Sequence, residues 1–204
     1  MIFETLIFTG MNSFCDSRFG GFASEKKTLE KEVQVYINSQ LAKSYEYLLL
    51  ATYFNSYQTN RPGFQKLYQG LSDRSFDDSI ELIKQITRRG GEINFNTKHK
   101  SDASVESTKT LEVTELNSLA IALDNEKQLS RGAMHVHQIA AHSHKDQSRA
   151  DPEMTQYMEE KFLSSQASTV RKLSGYANDL AKLMNNGPDA SLSIYLFDEY
   201  LQKQ

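Results

Sequence analysis

Between Tyr36 and Gly91 apolar residues recur with helical spacing, and the pattern breaks once, at Arg61-Pro62-Gly63. Leu41, Tyr45 and Leu48, and again Tyr47, Leu50 and Phe54, are separated by three, four or seven residues. That is the spacing of a helix burying a broad stripe. Pro62 lacks the amide proton that an interior helical position needs, and it biases Arg61 away from helical backbone angles. Beyond it Phe64, Leu67, Tyr68 and Leu71, then Ile80, Ile83 and Ile86, resume the period. The pattern stops at Gly90-Gly91 behind Arg88 and Arg89, and cations followed by glycine suit a helix C-terminus. The expectation is an antiparallel helix pair over 28–58 and 64–90.

A polar, non-periodic stretch follows over 92–110. Its length fits a crossover between parallel neighbours better than a tight antiparallel turn. A third helix is expected from near Leu111 to near His142, with Leu116, Leu119, Ala120 and Leu123 apolar. Asp151-Pro152 opens a fourth: Asp as N-cap, Pro at the first helical position, Glu153 in the first turn. It carries Met154, Met158, Phe162, Leu163, Val170, Leu173 and Leu180 and ends near Asn185–Gly187. Leu192, Leu196 and Tyr200, spaced by four, mark a short closing helix. The fold class is all-α: a four-helix bundle with one long crossover and a short fifth C-terminal helix. Residues 28–204 form one domain, and 1–27 are expected to be a flexible N-terminal extension.

Composition narrows the classes of partner. A net charge of −3 gives no global basic field for nucleic acid. The apolar run Leu48-Leu49-Leu50-Ala51 is too short to span a membrane. Met1–Gly10 is apolar like a signal segment but has no basic start, and Glu4 interrupts it. Cys15 is the one cysteine, so it is either a free thiol or a bridge to another chain.

The informative positions are polar residues on core stripes. Glu126 lies seven after Leu119 and three after Leu123, and Gln166 lies three after Leu163, so both point inward. Gln40 and Tyr47 share one side of the first helix. A carboxylate, carboxamides and a phenol converging inside a bundle are either what is left of a metal site or a hydrogen-bonded network, because a buried carboxylate must be paired or ligated. A di-iron bundle uses Glu from two helices and Glu-x-x-His from the others. No Glu-x-x-His occurs here, and the corresponding place reads Ser75-Phe76-Asp77-Asp78. His135, His137, His142 and His144 have spacings that point paired rings apart or place them ~10 Å from each other, so no chelate is expected.

Taken together in order, Ser44–Leu48, Tyr53-Phe54, Arg89–Gly91, Ala122–Lys127, Phe162–Gln166 and Tyr195–Asp198 resemble a ferritin subunit over about Tyr36 to Gln204. The resemblance implies that the ferroxidase ligand positions of heavy-type ferritin fall on Gln40, Ser75, Asp78, Glu126 and Gln166, beside Tyr47. Only Glu126 and Gln166 keep the family's residue, so the chain is similar to a light-type subunit without its own ferroxidase activity. It further implies ferric-mineral nucleation by Asp73, Asp77, Asp78 and Glu81, with Gly70, Arg74 and Ile80 departing from the family's acidic pattern. The resemblance also implies iron as the cargo, entering as Fe²⁺ and stored as Fe³⁺ mineral. A channel at His137 and Glu159 is implied, with Gln156 and Thr155 standing where the family has a pore aspartate and cysteine. The implied partners are other ferritin subunits, a heavy-type ferroxidase chain among them, in a twenty-four-subunit shell. Cys15 in an N-terminal extension is similar to secreted insect ferritins, which favours a secretory location and an inter-subunit disulfide. The competing expectations are a weak ferroxidase using Asp78, Glu126 and Gln166, and a structural bundle that handles no iron.

Overall fold

The computed structural model describes residues 17–18, 20–23, 28–94, 113–141, 150–187 and 189–204. Its helices stand where the apolar period is longest. Three of them, α1 (Thr28–Phe54), α2 (Pro62–Arg88) and α3 (Glu115–Ala141), are each 27 residues long. The fourth, α4, runs through Pro152–Met158, one π-helical turn at Glu159–Leu163, and Ser164–Asn186. A short α5 spans Ala190–Gln202.

Local chemistry sets the ends. α1 stops at Phe54, the last residue of the apolar pattern and short of the expected end at 58, and Asn60 takes a left-handed φ of 47° before Arg61 N–H donates back to the Phe54 carbonyl at 2.9 Å. Pro62 is the first residue of α2, where its missing amide proton costs nothing. Arg61 supplies no side-chain cap, so Asp198 of α5 does it instead, accepting from Phe64 N–H at 3.0 Å. Gly63 is required there: a Cβ on it would lie 2.1 Å from the Asp198 carbonyl oxygen. Gly90 ends the α2 corner at φ +74°, a conformation other residues rarely adopt. α4 begins as its sequence predicts, with the Asp151 carboxylate accepting from Met154 N–H at 3.0 Å.

Contacts across the bundle fix the direction of each helix. Tyr47 of α1 meets Ala122 of α3, whereas Tyr36, earlier in α1, lies against Gly132, later in α3, so these two helices run antiparallel. Tyr68 pairs with Ser118 and Arg74 with Glu126, offsets of 50 and 52 residues, so α2 and α3 run parallel. The link from α2 to α3 is therefore the expected long crossover.

The interior has two apolar clusters. One centres on Val33, Ile37, Leu82, Ile86, Leu129, Met154 and Phe162. The other centres on Tyr47, Phe54, Phe64, Tyr68, Leu119, Leu173 and Phe197. Between them lies a layer of buried polar side chains: Gln40, Ser44, Ser72, Ser75, Ser79, Glu126 and Gln166.

The strict four-residue spacing of Met154, Met158, Phe162 and Gln166, all buried, explains the π turn. Four residues advance an α-helix about 40° past a full turn, so three such steps would carry Gln166 about 120° off the inner face. Widening one turn returns it there.

Two expectations need correction. Gly20–Ala23 are not a flexible extension: they form a 3₁₀ turn against the bundle. Phe22 is buried beneath the Arg89 guanidinium, Gly21 N–H donates to Asp151 at 3.0 Å, and Arg18 donates to the Gly90 carbonyl at 2.9 Å. The stripes of Tyr45 with Leu48 on α1, and of Leu192, Leu196 and Tyr200 on α5, face outward; Phe197 and Leu201 are the α5 residues that enter the core. Both helices carry more apolar surface than one bundle buries, and the excess stays exposed on the single subunit. Cys15, His142 and His144 lie outside the described residues.

Candidate functional site

All four long helices contribute to the polar layer at mid-bundle. Tyr36, Gln40, Ser44 and Tyr47 descend one face of α1 at spacings of four, four and three, and each is buried. Glu126 comes from α3, fully buried, and Gln166 from α4 just beyond the π turn. From α2 come Ser75, buried, Asp78, partly buried, and Arg74.

A buried carboxylate needs compensation, and Glu126 has it on both oxygens. Tyr47 O–H donates to one oxygen at 3.0 Å and the Arg74 guanidinium donates to the other at 2.9 Å. A second arm of Arg74 donates to the Thr169 hydroxyl. Arg74 follows the exposed Asp73 on α2, a position from which a long cation can reach solvent. Instead its long side chain folds inward, drawn by the desolvated charge on Glu126. In the same layer the Tyr36 hydroxyl accepts from Gln40 at 2.8 Å and from Gln166 at 2.7 Å. Burial pushes the pKa of Tyr36 and of Tyr47 well above the usual phenol range, so both remain neutral hydrogen-bonding groups.

The structure thus brings Gln40, Tyr47, Glu126 and Gln166 into one layer with Ser75 on its α2 wall. Sequence reasoning missed Tyr36 and Arg74. Tyr36 was legible as the residue one turn before Gln40. Arg74 was not, because its Cα lies beside exposed Asp73 and only the reach of its side chain takes it inside.

Asp78 stands at the edge of this layer. Burial, opposed by Arg74 and reinforced by the carboxylates of Glu81, Glu126 and Asp77, pushes its carboxyl up from 3.8 to about 6. Asp73, Asp77 and Glu81 are exposed along α2. Gln69 donates to Asp73 at 2.8 Å, and Lys161 of α4 lies 3.7 Å from Glu81.

Redox chemistry on an iron pair needs several anionic oxygen donors close together. Here the layer offers one inner carboxylate already held by a guanidinium, with carboxamides and a serine elsewhere. The buried Gln40 Oε1, Gln166 Oε1 and Ser75 Oγ are neutral oxygens with no hydrogen-bond partner. Among the described residues no group of three His, Cys, Asp or Glu side chains could hold a metal ion. At the other end of the subunit His137 and Glu159 meet at 2.6 Å, Glu159 being the first residue of the π turn. His135 pairs separately with Glu32 at 3.3 Å, so the two histidines do not converge.

Four long helices, a parallel crossover, a fifth helix packed at one end and a polar layer at mid-bundle define a ferritin-like bundle. No protein-family model matches the chain. It is 66% identical over 194 residues to a ferritin light chain of Drosophila melanogaster, covering 95% of this chain and 82% of that protein. It is 42% identical over 191 residues to a ferritin light chain of Trichoplusia ni, covering 93% and 81%. The crystal structure of Trichoplusia ni secreted ferritin superimposes with a TM-score of 0.82 at 42% identity, covering 93% of this chain and 89% of that one. The chain belongs to the ferritin family and is a light-chain-type subunit, similar to insect secreted ferritin light chain. Its class is that of iron-storage subunits that oligomerise into shells. No described helix is long and apolar enough to cross a membrane.

Proposed function

We propose that this chain is a storage subunit of a mixed ferritin shell that holds ferric mineral but does not itself oxidise iron. The observation that carries the reading is the ion pair between Arg74 and Glu126: a guanidinium tethered to α2 supplies the positive charge that a metal ion would otherwise bring to the buried carboxylate. A divalent ion entering there meets Arg74⁺ first, and like charges at such distances in a desolvated layer repel strongly. Gln40 and Ser75 add no compensating charge.

Fe²⁺ is then oxidised on a heavy-type partner subunit, and this chain contributes exposed carboxylates. Asp73 and Asp77, one helical turn apart on α2, are hard oxygen donors suited to ferric iron. The pair His137–Glu159 serves an entry path for Fe²⁺. The match to a secreted ferritin supports a secretory location, with Cys15 bridging to a neighbouring subunit.

The deciding experiment adds Fe²⁺ anaerobically to shells of this chain alone and to shells made with a heavy-type partner, then admits air. Oxidation at the buffer rate by the single-chain shells, and rapid loading only with the partner, is the expected result. Fast oxidation by this chain alone would assign Asp78, Glu126 and Gln166 to a working centre. Absence of iron from mixed shells would leave only a structural role.

A further inference from the structure

A cavity of about 290 Å³ opens on the side of the bundle where α2, α4 and α5 meet. Lys66, Gly70 and Arg74 of α2 line it together with Thr169 and Lys172 of α4. It holds three cationic side chains and no Asp or Glu among its lining residues. Arg74 is already committed to Glu126, which leaves the two lysines to set the field. Lys66 spends one of its three protons on the Gln202 carbonyl at 2.9 Å, a neutral acceptor. Lys172 stands 5.6 Å from the centre of the Tyr176 ring. Among the described residues neither lysine is paired with a carboxylate. The mouth is open at Gly70, where a Cβ would meet nothing within 4 Å. Gly70, Asp73 and Asp77 follow one another at i, i+3 and i+7, so the cavity opens at the head of the acidic row of α2.

We propose that this cavity seats a tetrahedral oxyanion of the inorganic phosphate class, bound by Lys66 and Lys172 and flanked by the Arg74 guanidinium. A bound phosphate turns a cationic hollow into a cluster of hard oxygens next to Asp73. On the iron-storage reading above, it supplies ferric ligands where Gly70 and Arg74 leave the acidic row interrupted. Lysine binds phosphate as a point charge, and among the described residues no side-chain carboxylate lines the cavity to compete for these ammonium groups.

The test is equilibrium dialysis of inorganic phosphate against iron-free shells of the full chain, compared with Lys66→Gln and Lys172→Gln shells and with Lys172→Arg. Each lost charge-assisted contact is expected to weaken binding about tenfold, while Lys172→Arg retains it and particle size is unchanged. No saturable binding, or binding that both glutamine variants leave intact, would overturn the proposal. A second arm grows ferric mineral in mixed shells with and without phosphate. Phosphate binding by iron-free shells that then take up no iron with the partner upholds the anion seat and rejects the storage reading, so the two fail separately.

Discussion

Glu126 has no exposed surface, and its two oxygens are held by a phenol and a guanidinium. Removing one partner of such a pair strands a charge, which typically costs about 3 to 5 kcal/mol. Arg74→Ala should therefore destabilise the subunit by about 3 kcal/mol in equilibrium denaturation, given that Arg74 itself is partly exposed. Adding Glu126→Gln should recover most of that loss, because a neutral carboxamide can still accept from Tyr47. Asp78 behaves in the opposite sense. Its folded carboxyl titrates near 6, above its ordinary 3.8, so the native state binds the proton more tightly than the unfolded chain. Stability contributed by this group is thus greatest below pH 4 and falls as pH rises towards 6. Asp78→Asn should stabilise the subunit at pH 7 by on the order of 1 kcal/mol after allowance for solvent screening, seen as a higher melting temperature. The gain should vanish at pH 4; a gain of equal size at both pH values would show that burial of charge is not its cause. At this scale the sequence disclosed which backbone positions face inward, as at Glu126 and Gln166. It did not disclose where a long flexible cation ends, because Arg74 is directed by a partner 52 residues away.

Among the elements, α4 shows best what periodicity can and cannot convey. Its start was legible from Asp151-Pro152, whose cap is local chemistry. The same Asp151 carboxylate also receives Arg89 at 2.6 Å and Gly21 N–H, and both are long-range partners that no spacing rule reveals. The π turn was written in the four-residue spacing from Met154 to Gln166, yet a short run of fours also fits an ordinary helix within a single turn's tolerance. The docked segment at Gly20–Ala23 was missed because it has no period at all; one buried aromatic, Phe22, and the Gly21 N–H bond to Asp151 hold it. Phe22→Ala should cost about 3 kcal/mol and release the segment, seen as faster cleavage by a protease added to the native protein. Asp151→Asn keeps a helix-capping oxygen but loses the charge facing Arg89, so it should destabilise less than Asp151→Ala.

On the scale of the molecule, the number of helices, the parallel crossover and the family motifs were all readable, since long periodic segments and connection lengths are properties of one chain. The outward stripes were not, because apolar spacing alone cannot say whether a face is covered by the same chain or by another copy. Tyr45 is 61% exposed and Leu49 52%, and with Leu48 and Tyr53 they form an uncovered band along α1. A band of this kind marks an interface. Leu48→Glu combined with Leu49→Glu should leave the helical content intact and shift the protein from large particles to small species in sedimentation. Intact large particles would show that assembly does not use this face. Carrying its positive charge on a side chain also frees the subunit from any question of timing. A bundle that relied on captured ions to neutralise its interior would be incomplete whenever the cell was short of iron, whereas this one is finished as soon as it folds. On the storage role proposed above, shell building and iron supply can proceed on separate schedules, with empty containers made ahead of the cargo.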